Sequence, residues 1–314
     1  MKYWQKIATM LALALSTLGA MPAHAGEDAA LQAEKALAQE SICTRCHDES
    51  EQKPILTIKK SRHGVKTDGR TPTCQSCHGA SEAHVQNSTH ASERPLVDAF
   101  SAREKATSKD IEACVGCHNS GKRSHWQGSL HERAGVLCTT CHEMHTHKDK
   151  VRDKLTQPEV CFACHKEQRA LYTRPSRHPI KDGKMACSDC HNPHGTSGPT
   201  LLARDSVVAT CYTCHMEKRG PFIRNHQPAQ EDCTICHNPH GSTMPNLLKA
   251  RPPFLCQQCH EPATHQGRIA TLTGSNANPA QAANTLARGC LNCHTNTHGT
   301  NNPANINNER TMRR

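Results

Sequence analysis

The chain has 314 residues, a formal net charge of +10 and 35% hydrophobic residues, with aromatics at only 3%. So little apolar material cannot build a conventional core for a chain of this size, and no segment after residue 25 approaches the length a membrane span needs. What the composition supplies instead is 20 cysteines and 24 histidines.

At the N-terminus, Lys2 and Lys6 precede an apolar run from Ile7 to Ala20, and Ala23-His24-Ala25 forms a small-x-small cleavage site. Residues 1–25 therefore read as a secretory signal removed on export, and residues 26–314 as the exported, soluble remainder. Glu27 to Glu40, rich in Ala, Leu, Gln and Glu, predicts a helix.

From Cys43 onward every cysteine falls in a Cys-x-x-Cys-His motif, the pattern for covalent attachment of haem c. In chain order the ten are Cys43, Cys46 and His47; Cys74, Cys77 and His78; Cys114, Cys117 and His118; Cys138, Cys141 and His142; Cys161, Cys164 and His165; Cys187, Cys190 and His191; Cys211, Cys214 and His215; Cys233, Cys236 and His237; Cys256, Cys259 and His260; Cys290, Cys293 and His294. Two thiols add to the two haem vinyl groups, and the adjacent imidazole reaches the iron from one face. Disulfides or zinc knuckles would leave the invariable histidine idle. Ten haems leave about 29 residues for each, so the porphyrins themselves are expected to form the core.

The motifs come in five pairs, spanning approximately 43–84, 114–145, 161–194, 211–240 and 256–298. The string C-S-D-C-H-N-P-H-G from Cys187 returns nearly unchanged as C-T-I-C-H-N-P-H-G from Cys233, so a second histidine follows the first in register. His194 lies three residues after His191, too few to pass round the porphyrin and bind its other face. It must serve a different iron or none. Each motif pair carries two extra histidines. One lies between the motifs: His63, His131, His178, His226 and His265. The other follows the second motif: His84, His145, His194, His240 and His298.

Ten irons thus have ten candidate sixth ligands, predicting bis-histidine ligation at every haem. His90, His125 and His147 fall outside the pattern and read as solvent-facing. Met144, Met185, Met216 and Met244 recur at no common offset and read as packing residues rather than axial ligands. Bis-histidine ligation closes both axial positions, leaves no site for a substrate on iron and predicts low potentials. Close tethering of one haem to its neighbour's ligand predicts a wire for electrons, so the chain reads as an electron carrier and not an enzyme.

The fold class that follows is a multihaem cytochrome c, with short α-helices and irregular loops wrapped round a linear array of ten haems and little or no β-structure. The first motif of a pair is expected to open a short helix. Thr156-Gln157-Pro158-Glu159 is a start signal before Cys161, and Asp205 or Ser206 can cap a segment through Cys211 with Gly220 as its stop. The second motif runs into a turn, as in N-P-H-G. Residues 274–284 and 299–314 read as loop or extended tail. The charge falls to +8 once Lys2 and Lys6 leave. Against up to roughly twenty propionate charges this surplus reads as neutralisation of haem, not as affinity for nucleic acid.

The motif count, the signal and the strings C-S-D-C-H-N-P-H-G, C-Y-T-C-H-M-E-K-R-G-P, C-H-N-P-H-G-S and C-Q-Q-C-H closely resemble the periplasmic decahaem cytochromes of the MtrA, DmsE, PioA and MtoA group. The likeness covers essentially the whole mature chain. It implies that the ten paired histidines take the distal axial roles and that residues 26–314 form one decahaem domain. It also implies two pentahaem halves meeting near 166–186, a boundary that cuts the third motif pair; five pairs and two halves both stand. The resemblance further implies a periplasmic protein associated with the outer membrane. Its partners would be an outer-membrane β-barrel porin, an outer-surface multihaem cytochrome, and periplasmic or inner-membrane cytochromes. The role would be extracellular electron transfer, in metal reduction or iron oxidation. A freely diffusing periplasmic carrier feeding a terminal reductase shares the same haem chemistry. A multihaem reductase would need an open or lysine-bound iron, and no Cys-x-x-Cys-Lys is present.

Overall fold

The structure, a computed structural model, describes residues 24–51, 54–65, 71–87, 94–100, 108–260, 290–292 and 294–301. Short helices and 3-10 turns joined by irregular loops make up almost all of it. The longest helix, His24–Thr44, follows from its run of Ala, Leu, Gln and Glu, all strong helix formers, and it carries Cys43 in its last turn. No helix among the described residues is long and apolar enough to cross a membrane.

Each motif is itself a single helical turn. The histidine backbone N–H donates to the carbonyl of the first cysteine, as in His47 to Cys43 (3.1 Å), His142 to Cys138 (2.8 Å), His191 to Cys187 (2.9 Å) and His260 to Cys256 (3.0 Å). Cysteines three apart on such a turn face the same side, which is what two thioether bonds to one ring edge require. The expectation that the first motif of a pair opens a helix needs correction: it closes one. Cys114, Cys161, Cys211 and Cys256 lie at or near the C-terminal ends of Ser108–Val115, Gln157–Phe162, Val207–Cys211 and Phe254–Gln257. The second motif begins its own turn, in Cys74–His78, Cys138–Cys141 and Cys187–Cys190.

The start signals hold. Pro158 sits in the first turn of Gln157–Phe162, and the Ser206 side chain accepts from Ala209 N to cap Val207–Cys211. Gly220 is not the stop of that helix. The helix ends at Cys211, where the motif turn begins, and Gly220 (φ +82°) follows a separate 3-10 turn, Met216–Lys218.

Two-residue strands β1 (Arg224–Asn225) and β2 (Gly299–Thr300) pair antiparallel, a feature that no alternation in the sequence announces. Residues 274–284 and 302–314 of the expected loops lie outside the described residues.

The chain divides into two compact units. One holds the described residues up to Cys117 with Met144–Lys148; the other holds His118–Glu143 and the described residues from Asp149 onward. In the second unit Phe162, Tyr172 and Ile180 form a small apolar cluster on which Met185 packs. Among the described residues the other buried hydrophobic side chains are alanines: Ala36, Ala99 and Ala186. The polypeptide supplies very little core of its own.

Candidate haem sites

The turns just described place eight of the ten motif histidines opposite a histidine from elsewhere in the chain. Two pairs lie in the first unit: His47 with His84, ring centroids 6.1 Å apart, and His78 with His145, 6.0 Å. The second unit brings together His142 with His194, His191 with His240, His237 with His298, His260 with His226 and His165 with His131, each at 6.1 Å, and His215 with His178 at 6.4 Å. Planes are within 26° of parallel in six pairs, but cross at 74° in His131–His165 and 50° in His178–His215.

A nitrogen that binds a metal at about 2 Å puts its ring centre roughly 3 Å from that metal, so two imidazoles on opposite sides of one iron stand about 6 Å apart. The observed spacings fit a haem iron between the rings. Imidazoles in direct van der Waals stacking would lie closer.

The pairing answers where His194 goes. It does not face His191; it faces His142, in the preceding motif pair. His145, His240 and His298 likewise reach one pair back, whereas His131, His178 and His226 reach one pair forward. His84 stays within its own pair. Of the remaining predicted ligands, His63 sits in the 3-10 turn Arg62–Gly64, its N–H held by the Ser61 hydroxyl, and His294 closes its motif turn on Cys290. His118 follows Cys117, whereas Cys293 and His265 lie outside the described residues. His125 and His147 are exposed as expected, and His90 also lies outside the described residues.

In nine of these rings Nδ1 donates to a carbonyl or carboxylate, which fixes the tautomer. Nδ1 of His78 donates to Ala99 O (3.1 Å), that of His84 to Pro95 O (2.7 Å), that of His145 to Ile55 O (2.7 Å) and that of His191 to Thr200 O (3.1 Å). His237 uses Asn246 O (2.8 Å), His131 uses Pro193 O (2.8 Å) and His178 uses Pro239 O (3.0 Å). With the proton on Nδ1, Nε2 is left bare to bind a metal, and the hydrogen bond holds the ring's orientation. His47 and His142 instead donate to carboxylates, Glu51 Oε1 (2.6 Å) and Asp149 Oδ2 (2.7 Å). Burial holds His78, His191, His194, His226, His240 and His298 below the ordinary imidazole range, which keeps these rings neutral, the ligating form.

These carbonyl partners were not foreseen, since backbone oxygens carry no side-chain signature. A signal was nevertheless present: the repeated tails G-T-S-G-P-T-L-L from Gly195 and G-S-T-M-P-N-L-L from Gly241. In both, the residue before the leucines and the first leucine are left-handed: Thr200 and Leu201 (φ 49° and 59°), Asn246 and Leu247 (φ 56° and 61°). Left-handed leucine costs of order 1–3 kcal/mol, and such strain tends to mark functional positions. Here the strained turn delivers the Thr200 or Asn246 carbonyl to the motif histidine. It also folds the tail back, bridging His191 to Leu202 and His237 to Leu248.

The cysteines link consecutive motifs alternately. In four of the five pairs the first cysteines meet. A hydrogen bond to Cys187 raises the Cys161 thiol, another to Cys233 raises Cys211, and burial with the nearby Cys43 or Cys290 thiol pushes Cys74 and Cys256 up to about 11. Second cysteines meet between pairs. Cys141, Cys190 and Cys236 are raised chiefly by burial and further by Cys164, Cys214 and Cys259 respectively. From Cys141 to Cys290 the attachment points therefore follow one another in sequence order.

A family model described as a doubled CXXCH motif matches residues 131–170, 178–220 and 226–265. Over 267 residues the chain is 42% identical to Multiheme cytochrome MtrA of Shewanella baltica (strain OS185), covering 83% of this chain and 78% of that protein.

Proposed function

Since this chain belongs to the MtrA-like multihaem c-type cytochromes, which bind haem c covalently and transport electrons, we propose that it holds ten haems, each between two histidines, and conducts electrons across the periplasm and through an outer-membrane barrel. The observation that supports this most directly is the set of facing histidines about 6 Å apart, in which eight motif rings are each opposed by one from elsewhere in the chain.

Haem c, when bound, supplies a one-electron iron couple, and ten closely tethered couples supply a path. The protein's own residues do the rest. Motif cysteines would fix each ring edge, and their alternating contacts from Cys141 to Cys290 would keep successive edges adjacent. Nδ1 hydrogen bonds to Ala99, Pro193, Thr200, Pro239 and Asn246 hold the imidazoles in place, so little reorganisation accompanies a change of charge. Filling both axial positions denies iron to substrates, so the chain is a carrier without substrate chemistry. The resident histidines lack the methionine that raises potential.

A line of ten haems exceeds what shuttling between two soluble proteins demands, whereas an outer membrane presents a hydrocarbon core of about 30 Å. A surrounding barrel would supply the insulation. Two measurements test the reading. Pyridine haemochrome and electron paramagnetic resonance should count ten haems, all low-spin; a substantial high-spin fraction would revive a reductase. Liposomes containing this protein with a candidate barrel should pass electrons to an enclosed acceptor. Silent liposomes, and a protein wholly soluble in the periplasm of cells expressing every candidate barrel, would leave the freely diffusing carrier.

A further inference from the structure

Two of the motif histidines meet a carboxylate with their second nitrogen. His78, His191 and His237 donate to neutral backbone carbonyls. His142 donates to the Asp149 carboxylate at 2.7 Å, and His47 to Glu51 at 2.6 Å. The two carboxylates are not equally held. Asp149 is 13% exposed, and its other oxygen faces the backbone N–H groups of Glu143 and Val151 (3.4 Å each), where it caps the 3-10 turn Lys150–Arg152. Glu51 is 32% exposed and lies four residues after His47. His215 is not a third case, for its 3.6 Å separation from Glu217 is too long for a hydrogen bond.

An anion accepting from Nδ1 draws that proton towards itself and gives the imidazole partial imidazolate character, making Nε2 a stronger donor to iron. The negative charge and the stronger donor both favour Fe(III) over Fe(II), and second-shell hydrogen bonding is a recognised lever on haem potential. The couple is one electron; the Nδ1 proton stays within the His142–Asp149 hydrogen bond, nearer Asp149 in the ferric state.

We propose that Asp149 is a potential-setting residue: acting through His142, it holds the haem attached at Cys138 and Cys141 at the reducing end of the array, with Glu51 doing the same less strongly for the haem at Cys43 and Cys46. An electron that enters this haem from one of higher potential then takes an uphill step. This inference rests on the bis-histidine reading.

The test uses the full haem-loaded protein. D149N keeps the shape and an acceptor oxygen but removes the charge. It should favour the reduced form of one haem by about tenfold, which for a one-electron couple is 59 mV. Spectroelectrochemistry should show the most negative tenth of the reduction curve moving up. Near-infrared magnetic circular dichroism should show one ligand-to-metal band leaving the imidazolate position. D149E should restore both signals, which a merely structural role does not require. An unmoved low-potential edge in a D149N protein with ten low-spin haems overturns the proposal. So does a D149N protein whose only change is a high-spin haem, since Asp149 would then only position the ring. If D149N does not mature, E51Q carries the same test at the first haem, with a smaller upward shift expected and no shift counting against the idea. High-spin iron in the unmodified protein would instead sink the bis-histidine reading, so the two failures are distinguishable.

Discussion

On the bis-histidine reading, His194 decides which of two candidate haem sites would lose a ligand when one side chain is removed. The ring faces His142, not the neighbouring His191. H194A should therefore create one high-spin, carbon monoxide-binding iron on the haem held by Cys138 and Cys141, with all ten haems retained because the thioether bonds are intact. A crystal structure of the variant with the open position on the Cys187–Cys190 haem instead would refute the pairing. H125A and H147A, at exposed side chains outside the pattern, should leave every haem low-spin by electron paramagnetic resonance. The cysteines and motif histidines were legible because covalent attachment demands contiguous residues. Eight of the ten histidines that counting singled out as distal ligands stand opposite a motif histidine, but the partner of each was not legible. Pairings such as His131 with His165 join different modules, and one sequence carries no trace of that geometry. Glu51 and Asp149 were invisible for another reason: an acidic residue after a motif looks like ordinary surface until its distance to Nδ1 is known.

The N-P-H-G turn is an element with two duties. In the first copy the Pro193 carbonyl orients His131 while His194 opposes His142; in the second Pro239 orients His178 while His240 opposes His191. Each turn thus serves two sites at once. Its glycine makes this possible. Gly195 has φ +106° and a Cβ there would collide with the His125 carbonyl; Gly241 has φ +143° and would meet the Leu171 carbonyl. G195A should cost roughly 1–3 kcal/mol, seen as a lowered Tm, and should perturb the sites of His142 and His165 together. Gly128, also left-handed at φ +80° but facing open space, is the control, and G128A should cost less. Helix starts in this protein were readable from Ser206 and Pro158. Helix ends were not, because the motif turn ends a helix before any glycine does, as at Cys211 rather than Gly220. The β1–β2 pair is two residues long and too short for alternation to reveal.

For the whole molecule, the scarcity of buried apolar side chains makes haem a structural component. Ordering a residue costs about 1–2 kcal/mol in backbone entropy, and one small cluster around Phe162, Tyr172 and Ile180 cannot offset that over such a length. The chain made in cells lacking haem attachment should be unfolded, with little helix by far-ultraviolet circular dichroism and rapid proteolysis; a stable helical apoprotein would contradict this. The thin core was legible from composition alone, because no arrangement of so few aromatic and aliphatic residues could have hidden a large one. The exchange of histidines between modules bears on how such an array comes to have its length. On the bis-histidine reading the third and fourth motif pairs each lend one ring forward and one back and borrow as many in return, so copying one of them leaves donors and acceptors in balance at the new junction. Only an end has a debt to settle, and at the N-terminal end His84 settles it by turning back to His47. Gene duplication can therefore lengthen this protein by whole repeats, while a cut inside a repeat strands ligands on both sides.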